Sequence, residues 1–164
     1  MNPFDLSNKV ICVTGASSGI GRQCAVSCSR MGATVVLLAR NEQRLHETLS
    51  IMDNPDKHVI IPVDLTEYAT VELVVKNIVS QVGRISGVLH CAGISTTLPL
   101  KLVTPEKLDE FFQANVFSAY NLTREVCKMG NFSREGGSIV FFSSVMGKVG
   151  ENGKSLYLSL IHIS

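Results

Sequence analysis

The sequence predicts an α/β fold, a doubly wound parallel sheet, from three observations. Strand and helix patterns alternate along the chain, as in repeated β-α-β units with right-handed crossovers. The strand patterns are apolar along their whole length, which is typical of strands buried on both faces. A glycine-rich run stands between the first strand and the first helix. In such sheets the ligand crevice lies at the carboxyl ends of the strands.

The amino-terminal elements follow one another closely. Lys9–Val13 is predicted to be an apolar strand, and the helix Ile20–Met31 is expected to end before a glycine. Ala33–Leu38 is an uninterrupted apolar strand. The next helix, Asn41–Met52, begins with an asparagine that can act as its N-cap.

The central elements are a strand at His58–Val63, a helix at Glu67–Val82 and a strand at Gly87–Cys91. Thr66 is available as the cap of that helix. The helix is predicted to be amphipathic, because one face collects Val71, Val74, Val75, Ile78 and Val82.

The last elements are a broken helix and a strand. A helix opens at Thr104-Pro105, since a proline in the first position loses no hydrogen bond there. The helical pattern continues with breaks towards Lys128. Two glycines then precede the predicted strand Ser138–Ser143.

Composition excludes several classes of function. The chain has 164 residues, 45% of them hydrophobic, which suits one compact domain. A net charge of +1 without a run of basic residues argues against a nucleic-acid partner. Neither a signal peptide nor an apolar stretch of about 20 residues is present, so no membrane association is expected. Five scattered cysteines favour reduced thiols and a cytoplasmic location. Cys24 and Cys28 lack two further nearby ligands, so no metal site is expected.

The run Thr14–Gly21 predicts a phosphate-binding turn. Glycine has no Cβ, so the backbone can approach a pyrophosphate closely. The helix that follows directs free N–H groups and its positive dipole end at the anion. The alternative is a plain loop of small residues. The residues expected to contact the phosphates are Gly15, Ser17, Ser18, Gly19, Ile20 and Gly21.

The glycine spacing, G-x-x-x-G-x-G, resembles that of the short-chain dehydrogenase/reductase family. The resemblance covers residues 5–157. It implies a Rossmann fold with strand order 3-2-1-4-5, in which the family's last two strands are missing. Residues 1–157 are therefore expected to form an incomplete NAD(P)-binding domain.

Arg40 and Asn41 follow the second strand, where NAD-binding folds usually place an acid on the ribose 2′-hydroxyl. A cation there would pair with a 2′-phosphate, so NADP(H) is the expected cofactor. The alternative is a solvated arginine at a strand end. By resemblance, Asp64 and Leu65 contact the adenine ring. Cys91-Ala92-Gly93 stands at the family's Asn-Ala-Gly motif, so Ala92 and Gly93 are expected against the cofactor.

Three positions resemble the family's catalytic set: Asn115, Ser144 and Tyr157, the last lying thirteen residues after the serine. Reduction of a ketone needs a hydride and a proton. The resemblance assigns the carbonyl to the serine and the proton to the tyrosine. For Asn115 a structural role at a helix kink is the alternative.

The sequence departs from the family at Ile161, where a lysine normally lowers the pKa of the tyrosine and binds the ribose. Residues 158–164 also match the translation of a transposon-end sequencing adapter. They are therefore expected to be a non-native tail, and the chain as printed is expected to be inactive.

The resemblance implies an NADP(H)-dependent oxidoreductase that interconverts a ketone and a secondary alcohol, similar to 3-oxoacyl-(acyl-carrier-protein) reductases. Its partners would be a small-molecule substrate and further copies of itself. The alternative is a non-catalytic NADP-binding sensor or scaffold. The sequence leaves open which ketone or alcohol is the substrate.

Overall fold

The five predicted strands form one parallel sheet in the computed structural model, which describes residues 4–161. Their order across the sheet is β3-β2-β1-β4-β5, which confirms the predicted 3-2-1-4-5 topology. The strands are β1 (Val10–Thr14), β2 (Thr34–Ala39), β3 (Val59–Pro62), β4 (Gly87–His90) and β5 (Ser138–Phe141).

Six helices flank this sheet within the described residues. They are α1 (Gly19–Arg30), α2 (Glu42–Leu49), α3 (Tyr68–Val82), α4 (Pro105–Phe112), α5 (Ser118–Val126) and α6 (Ser155–Ile161). The break expected towards Lys128 is a π-helical segment, Gln113–Phe117, that joins α4 to α5. Three residues of the expected non-native tail, 162–164, lie outside the described residues.

The core has two layers because successive strand residues point to opposite faces of the sheet. Val10, Cys12, Val36 and Leu38 pack on one face with α3 and α5. Their neighbours in the sequence pack on the other face with α1 and α2; these are Ile11, Val13, Val35 and Leu37. The sheet is thus covered on both sides, as the continuous apolar strands predict.

One of the two expected helix caps is present. The Asn41 side chain accepts a hydrogen bond from the Arg44 amide at 2.9 Å, and Thr104 caps α4 in the same way. The prediction for Thr66 is wrong. Its amide and hydroxyl both bond to the Asp64 carboxylate, at 3.0 and 2.7 Å, so the hydroxyl is not turned towards the helix, which starts at Tyr68.

Strand β5 lies at one edge of the sheet and is poorly covered. Its residue Phe141 is 50% exposed, and Phe142 just beyond it is 43% exposed. One face of Phe141 stacks on His90, with 4.6 Å between the ring centroids.

Among residues 4–161, no helix is both long and apolar enough to cross a membrane.

Candidate functional site

A cleft of about 1150 Å³ opens at the carboxyl ends of the strands. It runs from the glycine turn after β1, past the ends of β2 and β3, to the loop after β4. All twelve residues that the sequence analysis assigns to the cofactor line it: Gly15, Ser17, Ser18, Gly19, Ile20, Gly21, Arg40, Asn41, Asp64, Leu65, Ala92 and Gly93. The topology therefore brings these four separate sequence segments to one place.

The glycine turn is tight at two of its glycines. Gly15 has a φ of +65°, and a Cβ there would lie 2.9 Å from the Cα and amide nitrogen of Ala92. A Cβ at Gly21 would overlap the carbonyl oxygen of Gly15. Both positions therefore need glycine, which lets the turn pack closely against Ala92 and the start of α1.

The first turn of α1 presents N–H groups that the helix itself cannot satisfy. Ser18 is the N-cap in an extended conformation, and its side chain makes no capping hydrogen bond. These groups and the positive end of the helix dipole suit an anion. The turn thus fits the pyrophosphate of a dinucleotide.

The loop after β4 is held against this turn by hydrogen bonds. The Ala92 amide donates to Thr14 Oγ1 at 3.0 Å, which fixes the loop beside β1. A Cβ at Gly93 would lie 2.8 Å from Asn115 Oδ1, so a larger residue there would displace that side chain. This wall of the cleft is therefore formed by small residues.

Arg40 and Asp64 face each other across the ends of β2 and β3. Their nearest atoms, Nη1 and Oδ2, are 3.9 Å apart, and the arginine side chain is 74% exposed. Burial alone would raise the pKa of Asp64, but the Thr66 hydrogen bonds and the Arg40 charge together hold that pKa below its usual value. Asp64 is therefore ionised near neutrality, and Arg40 remains available to a second anion.

Asn115 links the π-helical segment to the cleft wall. Its Oδ1 accepts from the Ile94 amide at 2.8 Å, and its Nδ2 donates to the Phe111 carbonyl at 3.0 Å. The second bond satisfies a carbonyl one turn earlier in the irregular helix, which fits the structural alternative. The first bond positions the loop that follows β4. Asn115 itself does not line the cleft.

Ser144 and Tyr157 also lie outside the lining of the cleft. Ser144 follows β5 and accepts a hydrogen bond from the Met146 amide at 3.2 Å, which caps a short 3₁₀ turn. Tyr157 is half-buried on α6. That helix packs through Leu156 and Leu160 against Phe111 of α4. The three candidate catalytic residues thus stand on three different segments, and none of them lines the cleft.

Several residues of the cleft wall were not anticipated from the sequence. Arg44 lies in the first turn of α2, a position that the predicted cap at Asn41 could have indicated. Tyr68 donates a hydrogen bond to the Gln113 side chain, and both line the cleft. This contact joins residues 45 positions apart, so no local pattern could have indicated it.

Two side chains at the end of β4 are kept uncharged. Burial lowers the pKa of His90 to about 4, and its Nε2 lies 2.8 Å from Thr123 Oγ1. Burial also raises the pKa of Cys91 to about 12, with the neighbouring Cys24 thiol adding to the effect. The strand end beneath the cleft is therefore neutral near pH 7.

Within residues 4–161, no group of three or more His, Cys, Asp or Glu side chains is placed to hold a metal ion.

Comparison with known proteins gives one consistent family. The model of the short chain dehydrogenase family matches residues 9–159. The oxidoreductase YciK of Escherichia coli K12 is 32% identical over 158 residues, which cover 93% of this chain and 62% of YciK. The 3-dehydrosphinganine reductase of Danio rerio is 31% identical, over 94% of this chain and 48% of its own length.

A solved structure of similar fold belongs to the same family. A short chain dehydrogenase of Shigella flexneri 2a, crystallised with NADP, superposes with a TM-score of 0.85 at 32% identity. The superposition covers 96% of this chain and 67% of that one. The chain therefore spans about half to two thirds of the length of these proteins.

Proposed function

The chain belongs to the short-chain dehydrogenase family, and from this premise we propose that its cleft binds NADP(H) for the interconversion of a ketone and a secondary alcohol. The observation that carries the choice of cofactor is Arg40, an exposed guanidinium on the wall of the cleft that contains the glycine turn. The NADP complex of the Shigella flexneri structure supports the same choice.

Arg40 is the group best placed to recognise a 2′-phosphate. The side-chain oxygen of Asn41 already accepts a hydrogen bond from the Arg44 amide, and its neutral amide offers a phosphate no charge. Asp64 is 3.9 Å from Arg40, longer than a charge-assisted hydrogen bond. A doubly charged phosphate would therefore compete well for the guanidinium.

The remaining residues have roles that follow from their chemistry. The bound cofactor would supply or accept the hydride. The Ser144 hydroxyl would hold the substrate oxygen, and the Tyr157 hydroxyl would exchange a proton with it. Asn115 would keep the loop after β4 in place through the Ile94 amide. A 3-oxoacyl thioester is the substrate class that we propose to test first.

Ile161 favours a second candidate function. It stands four residues after Tyr157, where the family places the lysine that favours tyrosinate. Isoleucine cannot supply that charge, so we propose that this chain as printed does not catalyse the reaction. The protein would then be either a piece of a longer reductase with residues 158–164 non-native, or an NADP-binding sensor or scaffold. A lysine at position 161 in the intact gene would favour the reductase.

The Arg40→Asp substitution tests the proposed cofactor. The wild-type chain should bind NADPH more tightly than NADH by about ten- to a hundredfold, because a charge-assisted contact contributes roughly 1.5–3 kcal/mol. The variant should reverse this order, since a carboxylate repels the phosphate and accepts from the ribose hydroxyl. Titration of both nucleotides, followed by nicotinamide fluorescence, gives the two dissociation constants.

The control is Arg134→Asp, which makes the same charge change at an exposed residue that does not line the cleft. It should leave the preference unchanged. Equal affinity of the wild-type chain for NADPH and NADH would contradict the assignment of Arg40.

A further inference from the structure

Two side chains, Arg22 of α1 and Thr48 of α2, bond to the backbone of the glycine turn. Arg22 on α1 donates from Nη2 to the Ser17 carbonyl at 2.8 Å and from Nε to Thr48 Oγ1 at 3.0 Å. The Thr48 hydroxyl in turn lies 2.9 Å from the Ala16 carbonyl and 3.0 Å from the Arg44 carbonyl, so its single proton is shared between the turn and the preceding turn of α2. Two successive carbonyls of the turn are therefore fixed by one arginine and one threonine, which we call the turn clamp.

The part of the turn clamp formed by Thr48 and Ala16 is buried. Thr48 and Ala16 are both fully inaccessible to solvent. A buried carbonyl without a partner is costly, so the Ala16 carbonyl depends on the Thr48 hydroxyl. Arg22 is half-buried, and the Nη2 atom that donates to the Ser17 carbonyl also lies 3.2 Å from Glu47 Oε2. The contact between Thr48 and Ala16 is therefore buried, whereas the ion pair with Glu47 is exposed.

The turn clamp also connects the two proposed anion-binding parts of the cleft, which are the glycine turn and Arg40. Thr48 lies on α2, the helix that begins directly after Arg40 and Asn41. Ala16 and Ser17 belong to the turn that would receive the pyrophosphate. Since the clamp bonds α2 to the turn, it fixes the distance between the pyrophosphate site and Arg40.

We propose that Arg22 and Thr48 are positioning residues that set the preference of the cleft for NADP(H) over NAD(H). The proposal rests on the proposed function and extends it to residues that would not touch the cofactor. NADPH must meet the turn and Arg40 at the same time, whereas NADH needs only the turn. Loosening the clamp should therefore weaken NADPH binding more than NADH binding.

The Thr48→Val substitution removes the hydroxyl and keeps the shape of the side chain. It should weaken NADPH binding by about tenfold and NADH binding by about threefold, in line with the loss of a buried hydrogen bond. Thr48→Ser keeps the hydroxyl and should bind both nucleotides like the wild type. Arg22→Lys is the second test, because lysine keeps the charge but replaces the planar fork of guanidinium donors with a single ammonium. Glu47→Gln is the control, since it removes only the exposed ion pair.

Amide hydrogen exchange of residues 15–21 in the nucleotide-free chain gives a readout that does not depend on the cofactor. Thr48→Val and Arg22→Lys should both speed exchange in the turn, with Thr48→Ser and Glu47→Gln unchanged. An unchanged ratio of NADPH to NADH affinity in both clamp variants would overturn the proposal, and so would Thr48→Ser behaving like Thr48→Val. If the wild-type chain binds neither nucleotide, the proposed function fails, and the exchange rates then decide whether the clamp fixes the turn. If Thr48→Val does not fold, Arg22→Lys decides the same question.

Discussion

Replacement of Tyr157 by Phe should abolish ketone reduction in a longer protein that carries this chain and the family's lysine. Only the proton donor is lost, and a general acid contributes about 10²- to 10⁴-fold to the rate. The affinity for NADPH should stay close to that of the unmodified protein, since Tyr157 does not line the cleft. Oxidation of NADPH with a 3-oxoacyl thioester measures the rate, and a titration measures the affinity.

Tyr120→Phe is a matched control for this experiment. Tyr120 lies on α5 and is 68% exposed, so the loss of its hydroxyl should change neither measurement. Substantial turnover in the Tyr157→Phe protein would mean that the proton comes from another group. The spacing between Ser144 and Tyr157 would then be accidental.

Replacement of Gly21 by Ala should weaken dinucleotide binding strongly. The new Cβ would overlap the carbonyl oxygen of Gly15, and backbone atoms cannot move aside as a flexible side chain can. Overpacking of this kind costs about 1–3 kcal/mol of stability, and here the strain falls on the turn itself. We expect NADPH affinity to fall by about a hundredfold or more, since the first-turn N–H groups would lose their alignment.

Gly150→Ala provides the comparison for this substitution. No heavy atom lies within 4 Å of a Cβ at position 150, and the residue does not line the cleft. Titration with NADPH and thermal unfolding should show an unchanged protein. If Gly21→Ala binds NADPH as tightly as Gly150→Ala, the turn is not the phosphate site.

The fold could be predicted because its signals are local. Each strand is a short apolar run, and a helix such as α3 has its own apolar period, so the alternation of elements is visible without any long-range information. The strand order is implied by the resemblance to the short-chain dehydrogenase/reductase family, and right-handed crossovers are compatible with it. Thr66 shows the limit of this reasoning. A threonine before a helix is a good cap by position, but the Asp64 carboxylate two residues earlier accepts its hydroxyl.

The cofactor-binding wall could be predicted for a related reason. Residues at the carboxyl ends of neighbouring parallel strands meet at one edge of the sheet, so four separate sequence segments could be assigned to one cleft. The structure brings all of them to that cleft. The roles of the individual side chains toward a cofactor remain predictions.

The turn clamp could not be predicted from the sequence. Arg22 and Thr48 are 26 residues apart, and neither belongs to a motif that carries chemistry. They meet only because α1 and α2 pack side by side on the same face of the sheet. The contact between Asn115 and the Ile94 amide is of the same kind, since the π-helical segment turns the asparagine towards the loop after β4.

The most direct test of this account is a crystal structure of the chain with NADP⁺. We predict that the pyrophosphate lies at the first-turn N–H groups of α1, beside Gly19 and Gly21, at hydrogen-bond distances of about 3 Å. The 2′-phosphate should lie at a similar distance from the Arg40 guanidinium. A nucleotide bound away from the glycine turn, or one whose 2′-phosphate makes no contact with Arg40, would contradict the account.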